Sequence, residues 1–450
     1  MLSIQDIQDA TGGRVLQGDL GEKICSVAID SRSIKKNELF VAIKGKNFDG
    51  HRFISQAILK GAKAAVVSKK IKIRSKTVAV IRVANTTKAL GDIARFHRSR
   101  FKIPVVAITA SAGKTTTKEM IASVLSRKYK VLKNYSTENN EIGVAKTLLQ
   151  LKALHQIAVL ELGTNHFGEM RNLTLMAQPT VAILLNIGKS HLEFLKNLSG
   201  VFREKSSIYK SMKPGGTIIF NADDEKLCRI KIQKLPHKKI SFSINEKSDY
   251  RATKVNRTKD TKISFFVKKN RFLMPASTPQ HVYNALAAIS CGRLFDVRVS
   301  DAQKALKSTK HFFGRQKIYQ KKGCWIIDDT YNANPLSVEA ALQSLKSFPT
   351  KGRRFFILGD MLELGRNSRK EHQLLSRLVR ESSVDVLVTV GSLSAHCASK
   401  LRNTEVTVLS CRQRHDVVRK LKPMLKRGDV LLAKGSRAMR IEEILIRILS

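Results

Sequence analysis

The sequence is short of acid. Its 450 residues include 36 aspartates and glutamates against 82 lysines and arginines, a formal net charge of +46. It is also short of aromatics, at 6% with a single tryptophan, which leaves little material for stacking nucleic-acid bases. The six cysteines, Cys25, Cys228, Cys291, Cys324, Cys397 and Cys411, contain no Cys-x-x-Cys pair. That spacing excludes a zinc-ribbon pattern and argues against a disulfide framework. No uncharged apolar run approaches the ~20 residues needed to cross a bilayer. The opening MLSIQDIQDATGG has two aspartates and no apolar segment of signal-peptide type. Together these absences predict a cytoplasmic chain with reduced thiols and no membrane span.

What is present sets the class. Hydrophobic residues make up 42%, enough to build cores, which excludes collagen-like and wholly disordered chains. At roughly 100–200 residues per domain the length suggests about three domains. The positive excess is spread along most of the chain, yet acid balances it in residues 1–50 and nearly does so in 151–200. Its richest runs are 69–76 (KKIKIRSK) and 262–271 (KISFFVKKNR). A nucleic-acid machine concentrates its cations along a groove. The spread charge therefore reads as a solvated basic surface with no specific nucleic-acid partner. A basic nucleic-acid-binding P-loop ATPase remains the alternative from a different class.

Short apolar runs at 24–29, 39–43, 64–67 and 78–83, punctuated by Gly and Asp, predict a small α/β domain over 1–85. A helix predicted over 87–100 opens the next unit, 86–310. There 104–109 (PVVAIT), 156–162 (QIAVLEL) and 180–187 (TVAILLNI) read as buried strands, and 114–128 as a helix. Strands alternating with helices predict a parallel sheet covered on both faces. A further strand is expected at 216–221, an antiparallel patch at 250–275 and a helix of small residues at 282–294. Residues 311–450 repeat the α/β layout, with strands expected at 325–328, 354–358, 385–390 and 430–433.

The sharpest motif follows the first central strand. Ala110-Ser111-Ala112-Gly113-Lys114-Thr115-Thr116 lies between a strand and a helix, the setting in which backbone N–H groups and a helix N-terminus cradle phosphate. Lys114 would reach the β- and γ-phosphates, and the Thr115 hydroxyl would meet Mg²⁺. The strict pattern G-x-x-x-x-G-K-[ST] is not met, because Ile108 stands at its first glycine. Ligands of open α/β sheets gather at the carboxyl ends of strands. Glu161 ends one such strand and His191 follows another by four residues, so both are candidates to converge on the loop and serve Mg²⁺.

With these motifs the chain resembles the ATP-dependent Mur ligases of peptidoglycan synthesis, nearly end to end. The N-terminal part shows Asp30-Ser31-Arg32 and 39–53 (LFVAIKGKNFDGHRF). The central part shows the phosphate loop, 139–149 (NNEIGVAKTLL), 160–170 (LELGTNHFGEM) and 186–195 (NIGKSHLEFL). The C-terminal part shows 328–335 (DDTYNANP), 358–365 (LGDMLELG) and 433–439 (AKGSRAM). The first two of these C-terminal motifs look like the member that adds D-alanyl-D-alanine, and they argue against a folate glutamate ligase of the same superfamily. Three departures stand out. Ala110 replaces a family glycine and fits only if it avoids positive φ. Ser207 stands where the family has Glu after the retained Lys205. Gln280-His281 replaces a His-Asn pair.

The resemblance implies a three-domain α/β fold: a small UDP-sugar-binding domain (1–85), a central P-loop-type parallel-sheet ATPase domain (86–310) and a C-terminal Rossmann-like ligase domain (311–450). It implies ATP-driven amide-bond formation through an acyl phosphate, with ATP, UDP-muramyl tripeptide and D-Ala-D-Ala as small-molecule partners. It implies two Mg²⁺ ions, Thr115 and Glu161 serving the first and His191 the second, with Lys205 carbamylated by CO₂ beside them. Lys114, Glu161, His191 and Lys205 are then the catalytic set. Asn284 would hold adenine, Arg315 the phosphates and Asp329 the nucleotide. Ser31 and Arg32 would face the uridine diphosphate, and Asn139, Asn140, Asn332 and Asn334 the remaining substrate groups. A monomer is expected.

Overall fold

The computed structural model describes residues 1–45, 48–71, 73, 75–258, 262–275, 278–309, 314–401 and 403–450. Four strands of the N-terminal sheet, Ser26–Ala28, Glu38–Val41, Ala62–Val67 and Ala79–Arg82, run parallel. Arg14–Gln17 closes one edge antiparallel. The basic run at 69–76 includes Lys72 and Arg74, which lie outside the described residues.

The central sheet has nine strands. In spatial order they are Asn270–Pro275, Lys262–Val267, Tyr250–Arg257, Lys238–Ser243, Thr217–Asn221, Val181–Leu184, Val105–Thr109, Ile157–Glu161 and Val131–Lys133. The seven from Tyr250–Arg257 to Val131–Lys133 are parallel. Lys262–Val267 and Asn270–Pro275 pair antiparallel, forming the patch expected at 250–275. Every residue of Val105–Thr109 is buried because both faces are covered. Val105 and Ala107 enter a core with Leu90 and Ile93 of helix Thr86–Ser99. Val106 and Ile108 enter another with Ile121 of helix Lys114–Leu125 and Ala285 of helix Gln280–Leu294.

The run 180–187, read as one strand, pairs only over Val181–Leu184. The early end frees residues 185–191 to form a loop at the sheet's carboxyl edge. The helix expected over 114–128 stops at Leu125, capped by the Ser126 N–H on Ala122.

The C-terminal sheet has the order Lys317–Lys321, Cys324–Asp329, Val430–Lys434, Arg354–Gly359, Val386–Val390 and Thr407–Cys411. All its pairs are parallel except the first. The expected boundary at 310/311 falls on residues 310–313, outside the described residues.

Candidate active site in the central cleft

Three neighbouring central strands, Val181–Leu184, Val105–Thr109 and Ile157–Glu161, deliver their carboxyl ends to one place. That crossing point is where an open α/β sheet binds its ligand. A cleft of about 930 Å³ opens there. Its floor includes Ser111, Ala112, Gly113, Lys114, Thr116 and Glu161, and its far wall is the C-terminal domain, with Arg315, Asp329, Asn332, Asn334 and Lys434.

The phosphate loop is held from below. Asn186, two residues past its strand, accepts the N–H groups of Ser111 (3.1 Å) and Ala112 (2.9 Å) on Oδ1 and returns its amide to the Ala112 carbonyl at 3.0 Å. Ser111 Oγ donates to the Gly188 carbonyl at 2.9 Å. Ala110 is 1% exposed and is absent from the positive-φ residues, so the side chain replacing the family glycine fits its backbone. Gly113, by contrast, sits at φ +85, and a Cβ there would approach Asn284 Oδ1 to 3.0 Å. That oxygen is itself buried with no hydrogen-bond partner among the described residues.

Lys114 Nζ donates to the Ala110 carbonyl at 2.8 Å. Burial pulls its ammonium below the usual lysine range; Glu161 opposes that shift and Arg315 adds to it. Glu161 is 1% exposed and accepts from Thr115 Oγ1 and from Asn139 Nδ2, each at 2.7 Å. A hydroxyl and a carboxylate oxygen in contact are hard donors suited to Mg²⁺, which binds through one or two carboxylates plus substrate phosphates and water. Among the described residues no group of three or more His, Cys, Asp or Glu is placed to hold a metal ion.

Lys205 lies on helix Leu198–Lys210 and is 1% exposed. Burial first, then the charge of Lys114, push its ammonium well below the ordinary lysine value, with Glu204 opposing. Both effects favour the uncharged amine, which is the form that adds to CO₂; Lys205 is not among the residues that line the cleft. Glu204, which sequence reasoning passed over, is 2% exposed and accepts the N–H groups of Gly168 (2.8 Å) and Met170 (2.6 Å) at the start of helix Glu169–Ala177.

Domain-crossing contacts build the wall. His191, at φ +52, places Nδ1 2.6 Å from Glu363 Oε2 of the LGDMLELG motif. That hydrogen bond is the main cause holding the Glu363 carboxyl below its usual range. Lys189 donates to Glu371 at 2.6 Å. Gly365 packs so closely on Glu193 that a Cβ would stand 2.9 Å from its Cα. Asp329 pairs with Lys434 at 2.6 Å, and burial raises the Asp329 carboxyl against that pull. Arg315 stacks on Tyr331, 4.1 Å from guanidinium carbon to ring centroid.

The remaining sequence candidates divide. Asn140 caps helix Glu141–Leu148 and lines the cleft. Asn332 Oδ1 accepts from Ala333 N, and Asn334 caps helix Pro335–Lys346 while donating to the Ser111 carbonyl at 3.2 Å. Ser31 bonds Gln56 at 2.8 Å and Arg32 pairs with Asp30; neither lines this cleft.

Models of three Mur ligase domains match the chain: the Mur ligase family catalytic domain over residues 23–98, the Mur ligase middle domain over 108–292 and the Mur ligase glutamate ligase domain over 314–437. A UDP-N-acetylmuramoyl-tripeptide–D-alanyl-D-alanine ligase of Bacillus subtilis is 33% identical over 94% of this chain and 92% of its own length. A crystal structure of MurF from Acinetobacter baumannii superposes with a TM-score of 0.91 at 32% identity, covering 100% of this chain and 98% of that one. MurF ligase from Thermotoga maritima, solved in complex with ADP, gives a TM-score of 0.84 at 28% identity over 94% of this chain and 96% of its own. The chain belongs to the Mur ligase family.

Proposed function

We propose that this chain is the ligase that joins D-alanyl-D-alanine to UDP-N-acetylmuramoyl-tripeptide, giving UDP-muramyl pentapeptide, ADP and phosphate. The observation that carries this reading is the meeting in one cleft of the phosphate loop, the Thr115–Glu161 pair and the wall formed by DDTYNANP and LGDMLELG. Relatives with this activity in their names match almost the whole chain.

The chemistry begins with a repulsion. When the tripeptide carboxylate attacks the γ-phosphate, each pair of unit negative charges at ~4 Å costs about 4 kcal/mol at an effective dielectric of ~20. Lys114 offsets part of it from the cleft floor and stabilises charge at transfer. Thr115 and Glu161 would hold one Mg²⁺, and His191 with a carbamylated Lys205 a second; ions bound there would supply the remaining counter-charge. Asn284 offers its unpaired oxygen toward the nucleotide. Arg315 approaches the phosphates, and Asp329, placed by Lys434, contacts the nucleotide from the wall. Asn139, Asn140, Asn332 and Asn334 border the path of the peptide groups. The wall excludes water from the acyl phosphate until the dipeptide amine displaces phosphate. The 1–85 domain holds the uridine diphosphate end near Ser31 and Arg32. The enzyme works as a monomer in the cytoplasm; no helix among the described residues is long and apolar enough to cross a membrane.

The test is phosphate release from ATP with UDP-muramyl tripeptides ending in meso-diaminopimelate or L-lysine, each with and without D-Ala-D-Ala. Dipeptide-dependent release on at least one substrate is expected. Its absence on both overturns the reading.

A further inference from the structure

Residues 134–139 run beside the phosphate-loop helix and touch both domains. Asn134 is 0% exposed and grips the backbone of Glu161 on two sides, accepting its N–H at 2.9 Å and donating to its carbonyl at 3.0 Å. Five residues on, Asn139 donates to the Glu161 carboxylate at 2.7 Å and its carbonyl accepts the Gly163 N–H at 2.9 Å. The segment therefore fixes the backbone and the side chain of one carboxylate. Lys118, one turn into the helix that starts at Lys114, is 0% exposed. Its ammonium donates to the carbonyls of Asn134 (2.6 Å) and Ser136 (2.8 Å) and pairs with Glu119 at 3.1 Å. Ser136 is held at φ +45, a left-handed turn that a non-glycine residue keeps only when its surroundings enforce it.

Between the two asparagines lies Thr137. Its Oγ1 receives the phenol of Tyr331, 2.6 Å away in the C-terminal domain. The ring of Tyr331 carries Arg315 at 4.1 Å and Arg437 at 5.8 Å, both lining the cleft.

We propose that Tyr331 and Thr137 are positioning residues that couple docking of the C-terminal domain to the placement of Glu161, through the segment 134–139 anchored by Lys118. The docked domain presses its tyrosine onto the piece of chain that aims the carboxylate, and Tyr331 at the same time sets the two guanidiniums over the cleft. The proposal rests on the magnesium–nucleotide reading of Thr115 and Glu161.

A double-mutant cycle tests it. Tyr331→Phe and Thr137→Val each remove the same hydrogen bond, so their effects must coincide and not add. Each is expected to raise the Mg²⁺ concentration for half-maximal ADP binding about five- to tenfold and to lower kcat about tenfold. The double variant falls no further than either single one. Thr137→Ser, which keeps the hydroxyl, restores both quantities. Thermal unfolding of all four variants reports whether the fold is kept. Additive losses, an unmoved Mg²⁺ dependence, or no recovery in Thr137→Ser would overturn the proposal. Mg²⁺-dependent ADP binding needs no peptide, so this readout stands apart from a failure of dipeptide-dependent phosphate release.

Discussion

The floor of the cleft and its wall are built on different terms. On the floor, side chains of the central domain satisfy one another: Asn186 holds the loop N–H groups and Asn139 and Thr115 hold Glu161. The wall is held across a domain boundary by polar contacts such as His191 to Glu363, Lys189 to Glu371, Asn334 to Ser111 and Tyr331 to Thr137, and by Leu192, Leu195 and Val201 packing into the C-terminal core. The floor is thus held mainly within its own domain, with Glu161 tied to the wall through Thr137 and Tyr331, while the wall exists only while two domains stay docked. Catalytic charge belongs on the rigid side, where it needs no reorganisation at the moment of reaction. Water exclusion belongs on the side that opens.

This contrast can be broken in order of severity. Lys114→Ala removes the lysine that the floor offers to the phosphates under this reading. It should lower phosphate release by about a thousandfold or more, a loss of about 4 kcal/mol from the transition state, with the unfolding midpoint unchanged. Near-wild-type turnover would show that the loop does not serve phosphate. Lys205→Ala should lower turnover by about a hundredfold, with partial recovery when short carboxylates are added. Full activity without a supplement would remove the case for carbamylation. Glu371→Gln tests the wall. A partly exposed ion pair contributes about 1 kcal/mol or less, so KM for the dipeptide should rise only a few-fold while ADP binding to the floor stays unchanged. A loss of ADP affinity equal to the loss in KM would mean that this ion pair, and not only the Tyr331–Thr137 contact, reaches the floor.

Much of the floor could be read from the chain itself. A buried strand, a Gly-Lys-Thr turn and a helix are contiguous, so local pattern alone places Lys114 and Thr115. Glu161 is a strand-end residue, and its contact with Thr115 follows from two strands being neighbours. Asn186 heads the run 186–195 (NIGKSHLEFL), but nothing local marks it as the loop's anchor. Its function depends on Val181–Leu184 pairing beside Val105–Thr109 and stopping early, which is a matter of register and not of local sequence. Lys118, Thr137 and Glu204 were missed for a similar reason: their partners are backbone groups or residues of another element, which leave no pattern in the chain. The C-terminal motifs were visible only through family resemblance, since nothing local in DDTYNANP says that its tyrosine reaches a threonine 194 positions earlier.

The alanine at the head of the phosphate loop has a consequence beyond fit. A glycine samples far more backbone states in the unfolded chain than an alanine does. At a site whose φ suits both, the exchange to alanine lowers the ordering cost by about 0.4–1 kcal/mol. Ala110 occupies such a site, and its carbonyl is the acceptor for Lys114. The left-handed conformation of this loop resides at Gly113 alone. The chain thus keeps glycine where the turn demands it and lowers the cost of ordering the residue whose carbonyl anchors the lysine.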